Sequence, residues 1–215
     1  MNEENKQRET NVSYPTLDAL TISNIQNISS MPVRIDTSPK IDIERKPDMF
    51  NSSLISFNKI HFLLVDHPSD ETMEALVSLL QSTHCDTLVR LTDPTNYNKM
   101  PLERAGITVH ELQYLDASHP PDEIVNAWLQ IVKKKMYPKN VQNMKNTIAI
   151  HCMSGLGRSA VLISVALIEL GCSPSEAVAL IREHRPNAIN KGQMRYLMSY
   201  KKAHYSNKTK TCTIA

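Results

Sequence analysis

Thr147-Ile148-Ala149-Ile150-His151-Cys152-Met153-Ser154-Gly155-Leu156-Gly157-Arg158-Ser159 decides how the rest of the chain is read. The apolar, β-branched Ile148-Ala149-Ile150 predicts a short buried strand. It delivers His151 and Cys152 into a loop with two glycines, and a strongly apolar helical run begins near Ser159. Strand, glycine loop and helix N-terminus together predict an anion cradle. Successive backbone N–H groups point inward, and the helix dipole adds positive potential.

Arg158 at the far end of the cradle points to phosphate, because guanidinium binds two phosphate oxygens side by side and a lysine's point charge does not. Met153, Ser154, Gly155, Leu156, Gly157 and Arg158 form the binding surface, with Cys152 at its base. The amides that hold an anion there also favour a sulfur anion. A thiolate facing a phosphate monoester is placed for in-line attack on phosphorus. His151 is expected to orient the loop rather than act as a base. Ser159 is expected to donate to the sulfur and help it leave when the phosphocysteine is hydrolysed.

Outward from this motif, strand patterns alternate with helix patterns. Lys59–Val65, Thr87–Leu91 and Ile107–Leu115 read as strands. Ser69 is expected to cap a helix with Asp70 and Glu71 in its first turn and Met73, Leu76, Val77 and Leu80 on its apolar face. Pro120-Pro121-Asp122-Glu123 opens a helix that carries Trp128 into the core and ends in Lys133-Lys134-Lys135. Gly171 fits the C′ position of the helix after the motif. Ser173-Pro174-Ser175-Glu176 reads as a capping box, and Asn190 caps a last helix to about Lys202. The pattern predicts an α/β domain, a mostly parallel central sheet flanked by helices, with the ligand loop at the strands' carboxyl edge.

Expelling the leaving oxygen of a phosphoester needs a proton donor opposite the thiolate. The third strand runs into Asp116-Ala117-Ser118-His119, so Asp116 is the expected general acid, with Asp122, His119 and Asp93 as alternatives.

Composition bounds the rest. A net charge of +2 over 215 residues gives no argument for nucleic acid as a partner. Residues 1–54 are polar and aperiodic and read as a disordered extension, 55–204 as the catalytic domain, and 205–215 as a basic tail. Cys85, Cys152, Cys172 and Cys212 have no metal-ligand spacing, so no metal or cofactor is expected, and the absence of a secretory signal predicts a reducing compartment. The longest apolar runs fall short of a bilayer span. Cys212-Thr213-Ile214-Ala215 has the C-a-a-X form that favours farnesylation, and Lys201, Lys202, Lys208 and Lys210 supply the second signal a single lipid needs. These predict attachment to the inner leaflet, at the cytoplasmic face of plasma or endosomal membranes, and a cytoplasmic protein when unprenylated.

His-Cys-x5-Arg-Ser resembles the active-site signature of cysteine-based protein tyrosine phosphatases. Phe62-Leu63, Thr87-Leu88-Val89-Arg90, Glu103-x-x-Gly106-Ile107, Pro120-Pro121, Trp128-Leu129, Ala188-Ile189-Asn190 and Gln193 narrow the similarity to the phosphatases of regenerating liver, over about Ile60 to Tyr200. The resemblance implies a small dual-specificity, cysteine-based phosphatase fold, activity on phosphotyrosine-like groups of phosphoproteins, and prenylation. It also implies binding to a CBS-domain magnesium transport mediator through the same pocket.

Several positions depart from that family. Ser159-Ala160 stands where it has Ala-Pro, and the restored hydroxyl is expected to speed breakdown of the phosphocysteine. Tyr114-Leu115-Asp116-Ala117 offers one carboxylate where the family has two, so Asp116 matches either the acid or a partner contact. Thr92 replaces a cysteine that can pair with the nucleophile. Cys172 lies beyond a helix, about 18 Å away, against a Cα limit of about 7 Å for a disulfide. Cys85 belongs at the opposite sheet edge, so peroxide is expected to produce no intramolecular Cys152 disulfide. A phosphoinositide would call for lysines in the cradle, and Met153, Ser154 and Leu156 supply none.

Overall fold

The computed structural model describes residues 51–137 and 146–202. Its sheet has five strands, β1 (Ser52–Phe57), β2 (Ile60–Val65), β3 (Thr87–Arg90), β4 (Thr108–Glu111) and β5 (Thr147–His151), in the order β1-β2-β5-β3-β4. β1 is antiparallel to β2 and every other pairing is parallel, which makes an α/β fold with a mostly parallel central sheet. β5 takes the middle because all five of its residues tolerate burial on both faces.

The pleat divides the core in two. Phe62, Leu64, Val89, Ile148 and Ile150 face one side, and Leu63, Val65, Leu88 and Ala149 the other, as the two-residue period of strands requires. The first side is covered by α3 (Asp122–Met136), α4 (Arg158–Glu169), α5 (Pro174–His184) and α6 (Lys191–Ser199). The second is covered by α1 (Met73–Ser82) and α2 (Met100–Arg104). α4 is buried at all twelve positions. Trp128 is fully buried, and its indole N–H donates to the Leu162 carbonyl at 2.7 Å. Among the described residues, no helix is long and apolar enough to cross a membrane.

Helix ends follow the sequence signals in most places. Gly171 has φ +123 just beyond α4, a conformation that costs an L side chain and not glycine. Capping boxes open both α5 (Ser173, Glu176) and α6 (Asn190, Gln193).

Four expectations need correction. The domain was expected to begin at residue 55, but β1 starts at Ser52 and forms a hairpin with β2 through Asn58-Lys59, with Asn58 at φ +53. Ile55 is its one fully buried residue, so an edge strand with a polar face left little apolar signal. The helix expected from Ser69 starts at Met73. Ser69 and Thr72 bond one another across the preceding turn, and Asp70 accepts from the Asn98 amide instead of facing a helix end. The strand expected over Ile107–Leu115 is paired only from Thr108 to Glu111, because β3 ends at Arg90 and offers residues 113–115 no neighbour. α2 and a short 3-10 turn, Pro94–Asn96, fill a stretch with no expected element. Residues 1–50 and the tail beyond Lys202, with Cys212, Lys208 and Lys210, lie outside the described residues.

Register positions the site. Val65, Arg90 and His151 stand level across β2, β3 and β5, and Glu111 of β4 stands level with Arg90. The chain therefore leaves all four parallel strands at one edge, and Asp66, Leu91, Leu112 and Cys152 begin the loops that meet there.

Candidate active site

Three carbonyls of the loop from Met153 to Gly157 are engaged. Met153 O accepts from the His67 amide at 3.3 Å, Leu156 O from the Ile189 amide at 2.8 Å, and Gly157 O from Val161 at 3.0 Å. Among the described residues, no protein group accepts from the amides of Met153, Ser154, Gly155, Leu156 or Gly157. Carbonyls engaged at Met153, Leu156 and Gly157, with all five amides free, suit an anion nest. Gly155 has φ +67, and a Cβ there would lie 3.3 Å from Asp66 Oδ1 and 3.7 Å from the Arg185 guanidinium. That guanidinium is buried beneath the loop, bonded to Asp66 at 2.8 Å and to the carbonyls of Asn51 and Leu64.

Cys152 follows β5 directly and is 2% exposed. His151 stands behind it. The Cys152 carbonyl can only accept, so the 3.2 Å contact puts the proton on His151 Nδ1, and Nε2 then accepts from the Tyr97 hydroxyl at 2.8 Å. Burial lowers the His151 pKa to about 3, with the Arg90 and Arg158 charges adding to it, so the ring is neutral. Burial raises Tyr97 to about 12. Arg90 lies over the Tyr97 ring at 4.7 Å, donates to its carbonyl and pairs with Glu111 at 2.7 Å. A continuous chain of contacts, Glu111–Arg90–Tyr97–His151, thus ends on the carbonyl of the cysteine. The His151 ring touches the cysteine through its main-chain carbonyl.

Arg158 is the first residue of α4, with its side chain almost wholly buried. Nη1 donates to Leu91 O at 2.9 Å and Tyr114 O at 3.1 Å, and the Tyr114 hydroxyl returns a bond to Arg158 O at 3.0 Å. Nε lies 3.0 Å from Asp116 Oδ1, close enough for an ion pair but with its N–H misaligned, so it makes no hydrogen bond. A cavity of about 640 Å³ opens over this pair and is also lined by Thr92, Asp93, Leu115 and Met153. Among the described residues, Arg158 is its one Lys or Arg.

Of the four candidate acids, Asp116 alone joins Arg158. Asp93 reaches the cavity, but the Thr95 hydroxyl and amide hold its carboxyl below the usual range, as a carboxylate. Asp122 lies in the first turn of α3, away from this cavity, and His119 stacks on Tyr196 at 5.0 Å. Ser159, the residue after Arg158, is fully buried, yet among the described residues its hydroxyl has no hydrogen-bond partner, the Cys152 sulfur included. Cys85 donates to Thr147 O at the opposite end of β5, and Cys172 lies beyond α4, so neither reaches Cys152.

Sequence reasoning missed Arg90, Tyr97, Glu111 and Arg185, which come from separate segments without a spacing to betray them. It also missed that Thr92, 2% exposed, carries a buried hydroxyl with no hydrogen-bond partner among the described residues.

Comparison with known proteins agrees with this geometry. Residues 70–203 match the family model described as "Dual specificity phosphatase, catalytic domain". The "Probable protein tyrosine phosphatase type IVA A" of Dictyostelium discoideum is 40% identical over 163 residues, 76% of this chain and 93% of that one. The "PRL-1 phosphatase" of Drosophila melanogaster is 40% identical over 149 residues, 69% and 82% of the two chains. Among solved structures, a putative protein tyrosine phosphatase from Leishmania major superposes with TM-score 0.61 at 33% identity, covering 70% of this chain and 99% of that one.

Proposed function

The chain belongs to the protein tyrosine phosphatase type IVA family, the phosphatases of regenerating liver, and from that premise we propose that Cys152 carries a phosphocysteine during hydrolysis of phosphotyrosine-like groups. It is a cysteine-based phosphatase of the dual-specificity class, and its substrates are phosphoproteins. The observation that carries the assignment is the nest of unengaged amides from Met153 to Gly157, with Arg158 at its end and Cys152 at its start.

Cys152 sulfur attacks phosphorus while the loop amides and Arg158 take the equatorial oxygens, where negative charge accumulates in the transition state. A dianion in the cradle competes with Asp116 for Arg158. Asp116, at the mouth of the cradle beside Arg158, is the group placed to deliver a proton to the leaving oxygen. It then takes one back from the water that cleaves the S–P bond. The Ser159 hydroxyl, without a protein partner, is available to the departing sulfur.

The test is turnover of aryl phosphates by wild type and by Cys152→Ser, with alkylation of Cys152 followed in the presence of tungstate. Turnover that depends on Cys152, with oxyanion protection, supports the assignment. A wild type inert from mildly acidic to neutral pH, or alkylation indifferent to tungstate, rejects it.

Farnesylation of Cys212 and attachment to cytoplasmic membrane faces belong to the same proposal and rest on the C-a-a-X ending and the lysines before it. Intact mass after eukaryotic expression, with and without a farnesyltransferase inhibitor, decides them.

A second reading is a low-turnover binding module that regulates a CBS-domain magnesium transport mediator through this pocket. The exposed apolar rim favours it: Leu115 is 78% and Met153 51% exposed at the cavity mouth, where a partner's loop would cover them. Pull-down of the mediator by Cys152→Ser, with turnover lost, separates binding from chemistry.

A further inference from the structure

The protein contains two capping boxes of different chemistry. α5 is closed by Ser173 and Glu176, and Glu176 contributes only carboxylate oxygen, accepting from the Ser173 amide and hydroxyl. α6 is closed by two amides. Asn190 Oδ1 accepts from the Gln193 amide at 2.9 Å, and Gln193 Oε1 accepts from the Asn190 amide at 3.1 Å. Capping uses only the oxygens, which leaves an NH2 group on each side chain.

Both NH2 groups reach the same place. Asn190 Nδ2 donates to Ala117 O at 3.2 Å, and Gln193 Nε2 to Ser118 O at 3.3 Å. These are the two carbonyls that follow Asp116. The loop is bent to present them. Ala117 sits in the left-handed region at φ +58, and the Ser118 hydroxyl closes the turn on Leu115 O at 2.7 Å. One turn further along α6, Tyr196 stacks on His119 with 9° between the rings. Gln193 also packs against the phosphate loop, since a Cβ on Gly157 would lie 3.3 Å from its Nε2.

We propose that the amide capping box of α6 is the latch of the acid loop: Asn190 and Gln193 hold the carbonyls of Ala117 and Ser118 and thereby set Asp116 against the cradle. Tyr114 fixes the other end through its two bonds to Arg158, so the single carboxylate stands between two anchors. Asn190 and Gln193 are positioning residues, and the inference rests on the reading of Asp116 as proton donor.

Asn190→Asp and Gln193→Glu keep the capping oxygens and remove the donors, and Asn190→Ser does so without adding charge. Each is assayed with phenyl phosphate, whose leaving group needs a proton, and with 4-nitrophenyl phosphate, whose leaving group does not. We expect kcat/KM on phenyl phosphate to fall about tenfold, a part of the factor a general acid supplies. On 4-nitrophenyl phosphate it stays within about twofold, and thermal unfolding is nearly unchanged. Combined with Asp116→Asn, none of the three lowers phenyl phosphate turnover further, because residues acting through one group are not additive. Equal loss on both substrates, or no loss on either, overturns the latch. If Asp116→Asn is itself indifferent to the leaving group, the proton-donor reading fails and the latch fails with it. If Asp116→Asn discriminates and the three latch variants do not, the latch alone is wrong.

Discussion

Two loops face each other across the cavity and are held in opposite ways. The phosphate loop, Met153 to Gly157, is fastened by main-chain bonds from His67 and Ile189 and lies over the buried Arg185 guanidinium, and the buried His151 ring holds the Cys152 carbonyl just before it. The acid loop lies on the surface, with Leu115 78% exposed and the Asp116 side chain 68% exposed, and the carbonyls of Ala117 and Ser118 are held by side-chain amides of α6. The contrast fits their tasks. Dipoles that stabilise charge on the phosphoryl group are most useful when they need no rearrangement. A proton donor must admit substrate before it acts, and surface loops of low local stability are the parts that move.

If that division is right, damage to the phosphate loop strikes every substrate alike, and damage to the acid loop is selective. Cys152→Ser should remove turnover by on the order of 10⁴-fold or more on any aryl phosphate. A residual rate that varied with leaving group would mean another nucleophile. Arg158→Lys should cost about 10²- to 10³-fold, equally for phenyl and 4-nitrophenyl phosphate, since lysine keeps the charge and loses the paired donors and the hold on Leu91 and Tyr114. Unequal loss would show that Arg158 acts chiefly by seating Asp116, and the two loops would then be one unit.

The buried side of the comparison also makes a prediction about pH. His151 is neutral in the folded protein, with its pKa lowered by burial from 6.5 to about 3. Above pH 6.5 the ring is neutral folded or unfolded and contributes no pH dependence. Between those values the unfolded chain takes up a proton that the folded one refuses, so its contribution is lost as pH falls, by about 1 kcal/mol per pH unit. Burial lowers His61, His67 and His110 in the same direction, so the contribution of His151 is read by difference. Urea unfolding at pH 7 and pH 5 should show wild type losing more stability than His151→Asn. Equal losses would mean that the ring is reached by water.

What sequence could and could not reveal follows the same line. The strand, glycines, cysteine and arginine of the phosphate loop are contiguous, so their spacing carries the geometry, and the parallel sheet around them followed from alternating patterns. Asp116 was legible as a carboxylate after a strand. The sequence already favoured it over Asp93 and Asp122, but that it lies beside Arg158 while Asp93 caps a turn is visible only in the contacts. The Glu111–Arg90–Tyr97–His151 chain joins β3, β4, β5 and the turn before α2, and no single segment displays it. β1 escaped because an edge strand buries so little. Ser69 misled because a Ser-x-x-Thr turn and a helix cap place the same residue types at the same spacing.

The smallest expected effect concerns Thr92, which stands between the two loops. Its hydroxyl is buried and has no hydrogen-bond partner among the described residues, although Thr92 lines the cavity with Arg158 and Asp116. A buried hydroxyl without a partner is a net cost to the fold, and replacement by a group of the same shape removes that cost. Thr92→Val should therefore raise stability by up to about 1 kcal/mol, or about 2–4 °C in thermal midpoint, in buffer without oxyanion. The result sharpens the comparison through its companion measurement, tungstate affinity by calorimetry. Stabilisation with weakened tungstate binding would put Thr92 on the phosphate-binding side, a donor held in reserve for the anion. Stabilisation with unchanged binding would leave the hydroxyl outside both loops' work. A drop in thermal midpoint would show that the hydroxyl is already satisfied and that the cavity wall is better made than its contacts indicate.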